Sequence, residues 1–252
     1  MNLFSARRTN LRQVAFVLWL ALWPLLLMVH LYPIRVALIR LFLVVGVALL
    51  WCGALWLMWK IKVLRFAGLA ATVVVLSALM LPGRSDDSQK LRDEYVRALK
   101  SYEGTIYVWG GETHRGIDCS GLIRCGLIDA NLHRGLATWN PALLRQAFSL
   151  WWHDSSALAM KQQYRGQTRL LFTASSLNDA DYKHLHTGDI AVTQSGAHVL
   201  AYVGDRMWVE ADPNVLLGDK VIQVRVPTRN AWFHSPMSLM RWRQLETEDN
   251  EP

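Results

Sequence analysis

GIDCSGLIRC, residues 116–125, sets Cys119 between Asp118 and Ser120, where a helix begins. A buried structural cysteine would more naturally sit mid-helix among apolar neighbours. Asp118 is a capping residue, and CSGLIRCGLIDANL carries Leu122, Ile123 and Leu127 as an apolar set, so a helix with Asp118 as its N-cap is expected. A helix N-terminus concentrates partial positive charge and N–H groups that lack intrahelical acceptors. A first-turn thiol is thereby favoured as thiolate, the attacking species, and the same N–H groups can stabilise an oxyanion. Gly110, Gly111, Gly116 and Gly121 allow close backbone approach of a substrate. Many cysteines begin helices and do nothing, however, and a nucleophile needs a base from elsewhere in the chain.

That base is sought downstream. GDIAVTQ (188–194), HVLAYVGD (198–205), RMWVEAD (206–212), VIQVRV (221–226) and SLMRWRQ (238–244) are short alternating or β-branched runs separated by turn residues, and read as strands. Gly204-Asp205 reads as a tight hairpin turn. His198 opens one strand after a Ser-Gly-Ala turn, where an imidazole is held yet accessible. Glu210, twelve residues on, can approach it across the hairpin and orient it. Taken blandly, they are a half-exposed strand-end histidine and an ordinary surface carboxylate.

Upstream, DSQKLRDEYVRALKSY puts Leu91, Tyr95, Ala98 and Leu99 on one helical face, with Ser85 or Asp86 as its cap. Asn140-Pro141 starts another helix, PALLRQAFSLWWHD. Residues 155–182 give no clear signal. The tail ETEDNEP is acidic and reads as disordered. Helices followed by a meander of strands predict an α+β domain with an antiparallel sheet. His184 and His186 form an H-x-H pair without acidic or cysteine partners and read as loop residues; no metal or cofactor is expected. Cys125 reads as core, and Arg124 as flanking the cleft or solvated.

The first 82 residues are of another kind. They hold eight basic residues and no acidic ones, whereas residues 83–252 hold nineteen Lys and Arg against twenty Asp and Glu. The net charge of +7 thus comes from the first piece, which argues against nucleic-acid binding by the second. Runs at 13–32, 41–59 and 63–82 are apolar and long enough to cross a bilayer. Trp51, Trp56 and Trp59 crowd one end of the second run, as an interfacial belt would. Arg7, Arg8 and Arg12 flank the first run, and Lys60, Lys62 and Arg65 lie between the second and third. The positive-inside rule puts both in the cytoplasm. Three spans then place everything after residue 82 outside the cytoplasm; two would place it inside. A cleaved signal peptide fits poorly, because the first run is too long and two more follow.

YVWGGETHRGIDCSGLI, HTGDIAVTQSGAHVLAYVGD and MWVEA together resemble the NlpC/P60 family of papain-like cysteine peptidases, over roughly residues 88–245. The resemblance implies an α+β papain-like fold. It implies Cys119 as nucleophile, His198 as base and Glu210 as orienting residue. Tyr107 matches the family's active-site tyrosine near the oxyanion site, and Asp118 and Ser120 match residues that in some members bind the free amino end of a stem peptide. Three features depart from the pattern: the third residue is most often histidine, His198 lies 79 residues after Cys119, and a three-span anchor is atypical. The extra length falls in a Trp-rich stretch, 133–182, expected as an insertion that could cover or reshape the cleft.

The expectation is a bacterial inner-membrane protein with a membrane region (1–82) and a periplasmic cysteine hydrolase domain (83–252). It would cut amides of peptidoglycan stem peptides, most often after D-glutamate at its γ-bond to a diamino acid. The bilayer and the wall peptide are its expected partners. The alternatives are an inactive domain binding wall peptides or a protein partner, and a relative acting on another amide or acyl group.

Overall fold

The computed structural model describes residues 3–84, 87–214 and 218–246, with the side chains of 3–10 excepted. The chain divides into two compact units, 1–81 and 82–252.

The first unit is three helices: α1 (Leu3–Leu31), α2 (Ala37–Leu57) and α3 (Lys62–Met80). Each contains a stretch of 19 to 21 residues long and apolar enough to cross a membrane. Within this unit the Trp51 indole donates to Thr72 Oγ1 (2.9 Å), and Arg35 closes the α1–α2 turn by donating to the Val29 carbonyl (2.8 Å).

The second unit begins with α4 (Ser88–Ser101). Its cap is Asp87, which accepts from the amides of Gln89 and Lys90. The expected caps, Ser85 and Asp86, lie outside the described residues, as do residues 247–252 of the acidic tail. A glycine-rich segment with the two-residue strands β1 (Glu112–Thr113) and β2 (Gly116–Ile117) leads into α5 (Cys119–Ala137). Then come α6 (Pro141–Trp152), capped by Asn140, and the single turn α7 (Ala157–Lys161). The strands are β3 (Thr168–Ala174), β4 (Ile190–Thr193), β5 (Val199–Gly204), β6 (Met207–Asp212), β7 (Lys220–Arg225) and β8 (Met237–Trp242). They form one six-stranded antiparallel sheet in the order β3-β8-β4-β5-β6-β7.

The sheet is buried on both faces. Ile190, Val192, Val199, Ala201, Val209 and Ala211 join the helices in one core, while Ala191, Leu200, Trp208 and Leu239 join Leu177, Leu185 and Phe233 in another. This follows from the period-two alternation of strand side chains. Tyr95 ties the layers together: its hydroxyl donates to the Ile123 carbonyl and accepts from the Trp242 indole. In the His-Thr-Gly-Asp turn, Gly188 takes a left-handed φ of +88°. Asp189 there holds the buried Arg241 of β8 through two bonds of 2.7 Å, the fork-to-carboxylate pairing that guanidinium geometry favours. At the β5–β6 turn Asp205 and Arg206 both have positive φ, which suits a two-residue hairpin of right-handed twist.

The 155–182 stretch resolves into α7, β3 and 3-10 turns, so the sheet gains an edge strand that the sequence did not announce. Arg124 is not solvated. It is buried and pairs with Glu112 and Asp154, tying the glycine segment to the loop after α6.

Candidate active site

α5 starts where the sequence places it. Asp118 Oδ1 accepts from the Gly121 amide (2.6 Å) and the Ser120 hydroxyl (2.9 Å), and Oδ2 accepts from the Gly110 amide (2.8 Å). One carboxylate oxygen therefore caps the helix while the other holds the glycine segment to its start. Gly121 is needed for sterics: a Cβ there would lie 2.3 Å from the Gly111 carbonyl oxygen. Gly121→Ala is expected to cost about 1–3 kcal/mol, the usual range for overpacking a tight site, with a lowered melting temperature of the full chain in detergent as the check. An unchanged melting temperature would show that the segment yields freely.

Cys119 occupies the first turn and is almost wholly buried. The amides of Cys119 and Ser120 precede the intrahelical ladder. Tyr107 lies half-buried nearby, its backbone bridged to Ile117. Burial pushes its phenol well above the usual value, and negative charge at Cys119, Asp118 and Asp219 adds to the effect.

His198 comes from the turn between β4 and β5. Its amide donates to Thr193 Oγ1 (3.0 Å) and its carbonyl accepts from the Thr193 amide (3.0 Å). Gly196, at φ +72°, sits so close to α7 that a Cβ would meet Leu158 at 2.7 Å, and Lys161 Nζ donates to the Gln194 carbonyl. The insertion thus buttresses the turn that carries His198.

Residues 201 and 209 pair, as do 202 and 208, so Glu210 falls opposite Leu200, diagonal to His198. His198 Nε2 donates to Glu210 Oε2 at 2.7 Å, and both side chains are essentially solvent-free (1% and 0% exposed). With Nε2 committed, Nδ1 is the nitrogen left to exchange a proton with Cys119. Burial alone would lower the His198 pKa, but its bonds to Cys119 and Glu210 outweigh that and raise it to about 9. Burial raises the Glu210 carboxyl, opposed by its bonds to His198 and Asn230.

The structure brings together Cys119, His198 and Glu210, with Tyr107, Asp118 and Ser120 around the thiol. It adds three residues that sequence reasoning missed. Asn230 Nδ2 donates to Glu210 Oε1 (2.8 Å) and to Asp212 Oδ2 (3.2 Å). Trp232 stacks on the His198 ring, centroids 4.3 Å apart, and its indole donates to Asp212 Oδ1 (3.3 Å). Its amide donates to Asn230 Oδ1, which caps the short 3-10 turn Ala231–His234. The only signal for this in sequence was the capping residue Asn230. Cys125 is buried, and burial pushes its thiol far up. Among the described residues no group of His, Cys, Asp and Glu could hold a metal ion.

A protonated imidazole with a pKa near 9 predicts an alkaline limit for any chemistry that uses it as an acid. Activity is expected to fall with an apparent pKa near 9, and a pH–rate profile checks it. A profile flat through pH 10 would exclude His198 as that acid.

Residues 104–239 match the profile of the NlpC/P60 family. Among solved structures, the chain is similar to the NlpC/p60 domain of the peptidoglycan hydrolase SagA, at 22% identity over 59% of this chain and 97% of that one, with a TM-score of 0.34. It is also similar to NlpC1 from Trichomonas vaginalis (18% identity, 64% of this chain, 46% of that one, TM-score 0.40). A third similar structure is an NlpC/P60 family protein from Bacillus cereus (18%, 62% and 40%, TM-score 0.38). The chain spans less than half the length of these last two. No curated protein matches it. The matched residues take in every side chain of the site just described, from Tyr107 to Trp232, and just over half of the sequence, and on that match the chain belongs to the NlpC/P60 family.

Proposed function

We propose that the chain is a membrane-anchored cysteine hydrolase acting on amide bonds of peptidoglycan stem peptides, of the γ-D-glutamyl-diamino acid type. The observation that carries this reading is the buried His198–Glu210 pair with Cys119 coupled to the same ring at a helix start. An imidazolium beside a thiol favours the thiolate. Cys119 Sγ attacks the amide carbonyl, and the first-turn amides, with Tyr107 beside them, face the developing oxyanion. His198 Nδ1–H protonates the leaving amine, so the C–N bond breaks and a thioester remains. The neutral imidazole then takes a proton from water as water attacks the thioester, the C–S bond breaks, and the acid product leaves, ionising to solvent, with the thiolate–imidazolium pair restored. Glu210 holds the ring orientation throughout.

The three apolar helices and the basic residues at both cytoplasmic flanks support an anchor in a bacterial inner membrane, with the second unit on the wall side. That compartment is where such a substrate lies.

The test is mass spectrometry of products from purified peptidoglycan and its soluble fragments incubated with the full chain in detergent. A parallel sample is first alkylated with iodoacetamide. New stem-peptide fragments are expected, absent from the alkylated sample, with the alkyl group mapped to Cys119 and not to Cys125, whose thiol burial holds protonated. Cleavage that survives alkylation of Cys119 would overturn the mechanism. No cleavage by folded protein would overturn the substrate assignment.

A further inference from the structure

α5 ends in an unusual way. The Asn140 amide donates to the Gly135 carbonyl (2.9 Å) and the Trp139 amide to Leu136, the paired bonds of a Schellman closure. The residue in the left-handed position of that motif is ordinarily glycine, because a Cβ is strained there. Here it is Trp139, at φ +51°. A bulky aromatic in that conformation is a genuine outlier, and it gains nothing from burial, for the ring is 91% exposed. Leu136 (65% exposed) and Leu132 (40%) stand one and two turns earlier at helical spacing, so the end of α5 presents an apolar stripe tipped by an indole.

The chain itself states what lies near this corner. Asn140 Nδ2 donates to the Arg84 carbonyl (2.8 Å), and a Cβ on Gly83 would collide with Ala142. The incoming strand is therefore fastened to the α5–α6 corner as soon as it arrives. Only Leu81, Pro82 and Gly83 separate Arg84 from the end of α3 at Met80. Four residues reach at most ~14 Å. If α3 spans a bilayer, the chain cannot carry Arg84, the residue fastened to the corner, further than that from the span's end.

We propose that Trp139, with Leu136, seats in the lipid interface, so that the α5–α6 corner is a second membrane contact of the second unit beside its covalent tether. Indoles favour the headgroup level, where the ring is half apolar and its N–H meets water, and the exposed Arg84 suits anionic headgroups. This rests on the membrane reading of α3 given above. The contact holds the α5–α6 end of the unit at the bilayer surface, which accounts for a strained and exposed tryptophan where glycine would serve the fold better.

The 252-residue chain and its Trp139→Gly variant are reconstituted into vesicles of phosphatidylethanolamine and phosphatidylglycerol. The difference between their fluorescence spectra isolates the Trp139 emission. It is expected to be blue-shifted, quenched by bromine-bearing acyl chains and shielded from aqueous iodide. In detergent, Trp139→Gly is expected to melt no lower than the wild type, since glycine relieves the left-handed strain. A red-shifted, iodide-quenched difference emission from protein that stays with the vesicles through an alkaline wash would overturn the contact alone. Protein stripped off by that wash would overturn the membrane reading, and the contact with it.

Discussion

On the hydrolase reading proposed above, Cys119→Ser is expected to lower turnover of wall fragments on the order of 10⁴-fold or more, the scale on which removal of a triad nucleophile acts. Its fold should be left standing. The two side chains differ by one atom, and a hydroxyl can take the sulfur's place beside the His198 ring, so the stability change should stay within about 1 kcal/mol. The large kinetic effect has a simple source. A thiol beside a protonated imidazole gives up its proton readily, whereas a serine hydroxyl needs full general-base removal in the attack step. His198, with its pKa raised to about 9, is already protonated near neutrality and ill-suited to that task. Steady-state rates of the full chain, with the melting temperature measured on the same samples, check both halves. A serine variant within tenfold of the wild type would remove Cys119 from the chemistry, whatever its position on α5.

Much of this site was legible in local pattern, because its parts are local. Asp118 caps a helix through bonds to residues two and three positions on, and such a cap is written in a few consecutive letters. The approach of Glu210 to His198 follows from a two-residue hairpin, whose register carries a residue twelve positions on to the diagonal neighbour. What stayed hidden depends on distant chain. Trp232 covers the His198 ring from 34 residues away, and Asn230 reaches Glu210 from 20. Neither has a pattern of its own beyond a capping asparagine. The edge strand β3 is fixed by pairing with β8, nearly seventy residues later, and its register slips between Leu170 and Phe172, which blurs the alternation that would have marked it. Arg124 misled because an arginine in a helix is ordinarily solvated. Here two carboxylates, one from the glycine segment and one from the loop after α6, make its burial tolerable. Asp118, by contrast, was legible, and both its oxygens accept donors close by in the chain, from Gly110, Ser120 and Gly121.

Glu210→Ala should be the most damaging substitution outside the nucleophile, because it strikes stability and catalysis together. The carboxylate is wholly buried and accepts from His198 Nε2 (2.7 Å) and Asn230 Nδ2 (2.8 Å). Its removal strands an imidazolium in a dry site, and breaking one partner of a buried ion pair costs about 3–5 kcal/mol. Asn230 keeps Asp212 as an acceptor and Trp232 keeps its stack, so the loss centres on the histidine. Turnover should fall by roughly 10²–10⁴ as the ring loses its fixed orientation and proton position. The pH dependence separates this from simple unfolding. The folded pKa of His198 is raised to about 9 from an ordinary 6.5, so its contribution to stability is fully present below pH 6.5 and is lost as pH rises through 9. Wild-type melting temperature should therefore decline across that window. In Glu210→Ala the decline should flatten, and the alkaline limb of activity should move to lower pH, since one of the two groups that raise the histidine is gone. Glu210→Gln keeps an acceptor for Nε2 and should recover part of the stability while leaving the limb displaced. A Glu210→Ala enzyme whose alkaline limb stays near 9 would mean that Cys119 alone sets the protonation of His198, and that Glu210 is packed against the ring without governing it.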